Sequence, residues 1–398
     1  MSEFLLNEVC ELIVDCPHTT AKDEGEGFPL VRTPNIGKGR LVYDGMHRVC
    51  EDVYNKRNAR AIPQENDLIF AREATAGNVA LIQKGEKVCL GQRTVLIRPN
   101  QEIVNPAFLT YFLLAPKQQY NLLSTANGAT VAHVNLPTIR NLKIDLPELS
   151  TQHRIAAILS RYDSLIENYQ KQIKLLEEAA QRLYKEWFVD LHFPGHENTK
   201  IVNGVPEGWT PSKLGQLAEF KRGKTITKKD AVEGTIPVVA GGLEPAYYCN
   251  RSNTAERVIT VSGSGANAGF TKMYFERVWA SDCSFVDAST TPFLHFVYCY
   301  LKDNKTTIDN MQKGAAQPHV YAKDINSLEI SIPVESILKS FEKNVSKYFD
   351  TISSLQSQIR LLTEARDRLL PKLMSGEIDL GRNGLKGQQA HSPGQHPG

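Results

Sequence analysis

The sequence predicts an α+β protein with two strand-rich domains, each followed by a long helix, in which the two helices pack as an antiparallel coiled coil. Apolar residues between Thr151 and Phe188 recur in alternating steps of four and three, which is the seam spacing of a coiled coil. The same pattern returns 186 positions later, so that Ile359 answers to Ile173. The chain is therefore predicted to be an internal repeat with a pseudo-twofold relation between its halves.

The first long helix is predicted over residues 151–188 because neither Pro nor Gly interrupts that stretch. At ~1.5 Å per residue it would be a rod of roughly 57 Å. Its apolar seam is too narrow for a globular core face, so it needs a partner, predicted over residues 334–376. Arg366 is the one seam position of the second helix that is not apolar. The central seam positions are Ile166, Tyr169, Ile173, Leu176, Leu183, Ile352, Leu355, Ile359, Leu362 and Leu369.

The two globular segments are predicted over residues 1–150 and 209–333. Residues 79–82 and 94–99 are typical of short strands, and a helix is predicted from Pro106 through 124. Residues 189–208 are dense in Pro, Gly and Asn, which indicates a linker. Residues 377–398 are predicted to be a disordered tail. The helices repeat closely in sequence, while the globular parts share the order of their segments but few residues. This suggests a duplicated scaffold with a diverged recognition surface.

Composition narrows the class of protein. A hydrophobic content of 41% lets each half bury a core, and a net charge of +2 argues against an indiscriminate polybasic binder. The seven cysteines include no CxxC pair and suit a reducing cytosol, so a cytoplasmic location is expected. No signal peptide and no membrane-spanning apolar run is found in the sequence, so no membrane partner is expected.

Three stretches resemble enzyme sites only superficially. Residues 263–269 are Gly-rich and follow a strand-like segment, but a second strand-like segment follows where a nucleotide site needs a helix. Gly223-Lys224-Thr225 resembles the end of a phosphate loop, but Ala218 stands where its first Gly is required. No metal spacing, methyltransferase tetrapeptide or convincing nuclease centre is present. The chain is therefore predicted to be no enzyme and to bind no metal or cofactor itself.

Two basic clusters are candidates for nucleic-acid binding, one in each half. Arg and Lys neutralise phosphates, while Arg, Asn and Thr read base edges. The alternative for each cluster is a solvated loop without a partner. The predicted DNA-binding residues are Arg32, Thr33, Asn35, Lys38, Arg40, Arg72, Asn78, Lys221, Arg222, Lys224, Lys228, Lys229, Ser262, Ser264 and Asn267.

Several segments carry a family resemblance. They are QHRIAAIL at the start of the first helix, QIKLLEEAAQRLYKEWF and QIRLLTEARDRLLPKLMSGEI in the two helices, and NGVPEGWTPSKLGQL at the opening of the second half. Together with the duplicated layout, they make residues 1–380 resemble the specificity subunit of a Type I restriction-modification enzyme. The first half departs from the pattern because it lacks the Pro-x-Gly-Trp lead-in.

The resemblance implies that each globular unit is a target recognition domain for one half of a bipartite, asymmetric site in double-stranded DNA. The helices would act as the spacer. Two modification subunits holding S-adenosylmethionine would dock on the chain, and two restriction subunits can add translocation and cleavage driven by ATP and Mg. Two alternatives remain open at this point: a DNA-binding module derived from a fused restriction-methylation enzyme, and a stand-alone coiled-coil adaptor that binds only proteins.

Overall fold

The computed structural model describes residues 2–124, 133–312, 318–378 and Leu380. The chain divides into two compact units, the first formed by Met1–Glu167 with Arg360–Gly398 and the second by Asn168–Ile359. Of the tail predicted to be disordered, residues 377–398, only Glu377, Ile378 and Leu380 are among the described residues. The predicted fold class is confirmed, since each unit contains a strand-rich domain and part of both long helices.

The described residues of the first unit form three sheets. Its largest is antiparallel with strand order β2-β8-β5-β6, a second has the order β4-β3-β7, and β1 pairs with β9. Its elements are β1 (Ser2–Leu5), β2 (Cys10–Asp15), β3 (Phe28–Val31), β4 (His47–Val49), α1 (Glu51–Arg57), β5 (Leu68–Ala71), β6 (Val79–Leu81), β7 (Cys89–Leu90), β8 (Thr94–Pro99), α2 (Pro106–Leu114), α3 (Pro116–Ser124), α4 (Leu136–Arg140), β9 (Lys143–Leu146) and the start of α5 (Leu149–Tyr184).

Two helices stand where the sequence predicted one from Pro106 through 124. The Asn105 side chain caps α2 by accepting from the Phe108 amide at 2.9 Å. The helix stops at Leu114 because Pro116 has no amide proton and keeps Ala115 extended, with φ −64° and ψ 143°. The prediction of one continuous helix was therefore wrong.

The second unit repeats the strand order of the three sheets of the first unit. Its described residues form the matching sheets β13-β19-β16-β17, β15-β14-β18 and β12-β20, together with the antiparallel pair β10-β11. Its elements are β10 (Ile201–Val202), β11 (Val205–Pro206), β12 (Thr210–Lys213), α6 (Leu214–Leu217), β13 (Lys221–Arg222), β14 (Ile236–Val239), β15 (Tyr247–Cys249), β16 (Val258–Ser262), β17 (Thr271–Tyr274), β18 (Trp279–Ala280), β19 (Cys283–Asp287), α7 (Leu294–Asp303), α8 (Lys305–Asn310), α9 (Ala322–Asn326), β20 (Glu329–Ile332) and α10 (Glu335–Ser375).

Helix α10 begins and ends within one residue of its predicted bounds. Helix α5 begins two residues before its predicted start and ends four residues before its predicted end, and a π-helical turn, Lys185–Val189, continues it one residue past that end. In the first unit, Arg366 pairs with Asp163 at 2.6 Å, and Arg154 donates to the Leu380 carbonyl at 2.5 Å. Residues earlier in α5 therefore contact residues later in the chain, in or just after α10, so the two helices run antiparallel in the first unit.

In the second unit, the end of α5 packs near the start of α10, because the Trp187 and Phe341 rings lie 5.8 Å apart. The predicted seam positions are all buried or half-buried. By contrast, the off-seam leucines Leu175 and Leu361 are 64% and 60% exposed. The predicted seam positions are therefore less exposed than these two off-seam leucines.

No helix within the described ranges is long and apolar enough to cross a membrane. All seven cysteines lie in the described part of the chain and are free, five of them buried. Burial raises the pKa of Cys10 to about 12 and that of Cys89 to about 11, so both thiols stay protonated at neutral pH.

Candidate nucleic-acid interface

In the first unit, the loop after β3 is fastened to the turn between β5 and β6. Asn78 donates its side-chain amide to the Ile36 carbonyl at 2.8 Å, and the Thr75 hydroxyl donates to the Thr33 carbonyl at 2.8 Å. The buried Asn35 closes the loop on itself by donating to the Val42 carbonyl at 3.1 Å. The predicted DNA-binding residues between positions 32 and 40 therefore lie beside those between positions 72 and 78, and Asn and Thr side chains of both segments hold the loop.

The cations of this loop have a different environment. Lys38 is exposed and Arg40 half-exposed, on either side of Gly39, whose φ of +97° favours glycine. Arg32 donates to the Gly45 carbonyl at 3.1 Å and is half-buried. Lys38 and Arg40 are thus the side chains of the loop that remain available to an anionic partner.

Arg72, also predicted to bind DNA, lies in the interior. Its guanidinium donates to Asp15 at 2.7 Å and to the Val134 carbonyl at 3.0 Å, and it lies 2.9 Å from His133 Nε2. The other imidazole nitrogen lies 2.6 Å from Glu73. The charge of Arg72 is therefore compensated within the unit, and its position is that of a structural anchor.

In the second unit, the basic segment, residues 221–229, begins on an edge strand and continues into a loop whose backbone is held by hydrogen bonds. Lys221 and Arg222 form β13, which pairs with Phe285 and Ser284 at the edge of its sheet. Their side chains are exposed. A side chain at Gly223 would lie 2.3 Å from the Ser281 carbonyl oxygen, so only glycine fits where the strand ends.

The loop that follows carries the other three cations. Trp279 donates its indole proton to the Lys224 carbonyl at 2.7 Å, and Tyr247 donates to the Ile226 carbonyl at 2.5 Å. Lys224, Lys228 and Lys229 are exposed, and within the described residues none of them forms an ion pair. A loop whose backbone is held by hydrogen bonds and whose lysines have no ion-pair partner among the described residues suits phosphate contacts that do not depend on the base sequence.

The Gly-rich turn of the second unit holds the remaining predicted residues. Ser262 is buried at the end of β16, Ser264 donates its hydroxyl to Asp282, and Asn267 donates to the Gly241 carbonyl at 3.4 Å. The turn contains a single 3-10 turn and then β17, not an α-helix. Among the residues that the structure covers, no group of His, Cys, Asp or Glu could hold a metal ion.

One cluster was missed by the sequence reasoning. Asp282, His319 and Tyr321 line a cavity of about 140 Å³ together with Arg222 of the basic strand β13. The signal that could have found it is the spacing of 186 between His133 and His319, which places a histidine at the same point of both repeats.

The chain matches known proteins over most of its length. The profile of the Type I restriction modification DNA specificity domain matches residues 1–178 and 206–364. The MjaIX specificity subunit of a Type I restriction enzyme from Methanocaldococcus jannaschii is 26% identical over 390 residues, covering 91% of this chain and 89% of that relative. The HindI specificity subunit from Haemophilus influenzae is 22% identical over 370 residues, covering 71% and 80%.

A solved structure shares the fold. The S subunit of a Type I restriction-modification system from M. genitalium superposes with a TM-score of 0.56 at 18% sequence identity, covering 94% of this chain and 95% of that one.

Proposed function

Because this chain belongs to the family of the Type I restriction modification DNA specificity domain, we propose that its two units each bind one half of a bipartite, asymmetric site in double-stranded DNA. The chain is a non-catalytic specificity subunit, and sequence-specific DNA binding is its role in the restriction-modification complex. The alternative of an adaptor that binds only proteins is thereby disfavoured.

The observation that carries the proposal is a shared scaffold with unlike surfaces. Three sheets of the described residues have the same strand order in both units. The two units carry their available cations at different places, with Lys38 and Arg40 in the loop after β3 of the first unit and five exposed cations along residues 221–229, on β13 and the loop after it, in the second. Two similar folds with different polar surfaces suit two different half-sites, as paired DNA-binding modules do.

We assign the phosphate contacts to the exposed cations and not to the buried polar residues. The assigned residues are the half-exposed Arg40 and the exposed Lys38, Lys221, Lys224, Lys228 and Lys229. Thr33, Asn35, Arg72, Asn78 and Ser262 are buried or hydrogen-bonded to neighbouring loops, so we assign them to shaping the surface.

The partners follow from the family. We propose that two modification subunits, which hold S-adenosylmethionine, dock on this chain, and that two restriction subunits supply the ATP- and Mg-dependent steps. The solvent-facing leucines of the long helices, Leu175 and Leu361, are candidates for that contact. A cytoplasmic location belongs to the same proposal.

The test is DNA binding by the full chain in its assembled complex. Changing Lys221, Lys224 and Lys228 to Ala should weaken binding to every sequence and lower the slope of log affinity against log salt by up to about three units, because each lost phosphate contact removes nearly one. The motif should stay the same.

The matched control changes three exposed lysines of α10, namely Lys339, Lys343 and Lys347. It should leave the salt slope unaltered. Equal losses in both variants would contradict the assignment, and an assembled complex without DNA affinity would support the adaptor instead.

A further inference from the structure

The backbone hydrogen bonds show which residues correspond between the two units. The Val134 amide donates to the Arg72 carbonyl at 3.0 Å, and the Val320 amide donates to the Gly263 carbonyl at 3.1 Å. Gly263 therefore occupies the place of Arg72. Since Val134 and Val320 correspond, the residues before them, His133 and His319, correspond as well.

Two further pairs follow in the same way. The Arg72 amide donates to the Arg93 carbonyl at 2.9 Å and the Gly263 amide to the Asp282 carbonyl at 3.1 Å, so Asp282 takes the place of Arg93. The Cys16 amide donates to the Thr94 carbonyl at 3.2 Å and the Gly223 amide to the Cys283 carbonyl at 2.8 Å. Arg222, just before Gly223, consequently takes the place of Asp15.

In the first unit these positions form a closed ionic network. Arg72 fills the centre and pairs with Asp15 at 2.7 Å. Glu73 binds His133 at 2.6 Å and Arg93 at 2.8 Å. Each of these charges has a partner within the unit, so the network has a structural role and offers little to a ligand.

In the second unit no side chain fills the place of Arg72, and the charges at two neighbouring positions have the opposite sign. Gly263 has no side chain to fill the place of Arg72, and the cavity of about 140 Å³ stands there. Arg222 replaces an aspartate and Asp282 replaces an arginine. Within the described residues Arg222 has no ion pair, and Asp282 accepts only the Ser264 hydroxyl among side chains. His319 stacks on Tyr321 with ring centroids 5.8 Å apart.

We infer that this cavity reads one G·C base pair in the half-site bound by the second unit, an inference that rests on the proposed function. Arg222 donates to guanine O6 and N7, and Asp282 accepts from cytosine N4, which are the pairings that the major groove offers to these side chains. A phosphate is disfavoured as the ligand because the Asp282 carboxylate would repel it. The corresponding place in the first unit, filled by Arg72, reads no base.

The experiment uses the complete complex and makes two measurements. The first is the methylated motif, and the second is the affinity for DNA duplexes that each carry one substituted base pair. Arg222→Ala and Asp282→Asn should each relax the same single G·C position by roughly tenfold or more, and leave the other half-site unaltered. Arg222→Lys should relax it too, because an ammonium cannot make the paired contact to guanine. Lys229→Ala, on an exposed residue outside the cavity, should weaken all sequences alike.

Arg222 is exposed, so its variants remain informative if Asp282→Asn fails to fold. The inference is overturned if both Arg222 variants keep the full motif, or if the relaxed position is an A·T pair. A wild-type complex that binds DNA without preference in either half-site would instead refute the proposed function.

Discussion

Replacing Arg366 by Met tests why a charged residue stands in the apolar seam. In the first unit, Arg366 Nη1 donates to Asp163 Oδ1 at 2.6 Å, and the Tyr111 hydroxyl donates to Asp163 Oδ2 at 2.5 Å. The Asp163 side chain is only 7% exposed. The methionine keeps the length and the apolar stem of arginine but leaves the Asp163 carboxylate without its counter-charge.

The expected cost follows from that burial. Removing one partner of a buried ion pair costs roughly 3–5 kcal/mol, because the other charge stays buried without compensation. Asp163 retains the Tyr111 hydroxyl, so we expect about 3 kcal/mol, the lower end of that range. Adding Asp163→Asn should recover at least half of this loss, since a neutral amide keeps a hydrogen bond to Tyr111 without needing a cation.

The assay must report on the first unit. All three tryptophans, Trp187, Trp209 and Trp279, lie in the second unit, so their fluorescence follows that unit only. Hydrogen exchange of the peptides covering residues 106–124 follows the first unit, and a loss of 3 kcal/mol should speed exchange through global opening by about two decades. The control is Arg368→Met, which breaks a surface pair with Glu364 worth about 0–1 kcal/mol.

A cost of less than about 1 kcal/mol for Arg366→Met would refute the role of Arg366 as the counter-charge of a buried carboxylate. A double variant no more stable than Arg366→Met alone would refute it too, because the carboxylate's charge would then not be the source of the loss.

Three other outcomes are expected. Ile173→Asp, within the core packing of the second unit, should lower its free energy of unfolding in urea by several kcal/mol, whereas Leu175→Asp on the exposed face should change it little; equal effects would contradict the seam. Inserting a second copy of Leu176–Ala179 adds ~6 Å of helix. The non-specific gap between the two half-sites of the methylated motif should then lengthen by one base pair. An unchanged gap with full activity would show that helix length does not set the gap. Burial opposes ionisation of Asp287, but hydrogen bonds from Ser289 and the Ala255 amide hold its pKa below the ordinary value. Its contribution to stability is therefore present above about pH 4 and lost as the pH falls further, and Asp287→Asn should flatten that loss in urea titrations between pH 3 and 7.

The long helices and the duplication of the chain were predictable from the sequence alone. These features rest on a local period, and a period of 3.5 residues survives any loop conformation. Ile173 and Leu175 were separated into packed and exposed positions by spacing alone. The segments of residues 79–82 and 94–99 were recognisable as strands for the same reason, since apolar, β-branched runs bounded by turns carry a local signal.

The tertiary structure decided which polar residues are available. Arg72 and Lys38 look alike as basic loop residues, but Asp15, 57 positions away from Arg72, neutralises it, while Lys38 remains in solvent. The same applies to Arg366, whose partner Asp163 lies 203 positions away.

The correspondence of Gly263 with Arg72 also emerged only from the hydrogen bonds between strands, because the loops of the two domains differ in length and break the offset of 186. Burial and charge pairing depend on contacts between distant segments, so no local pattern in the chain could specify them.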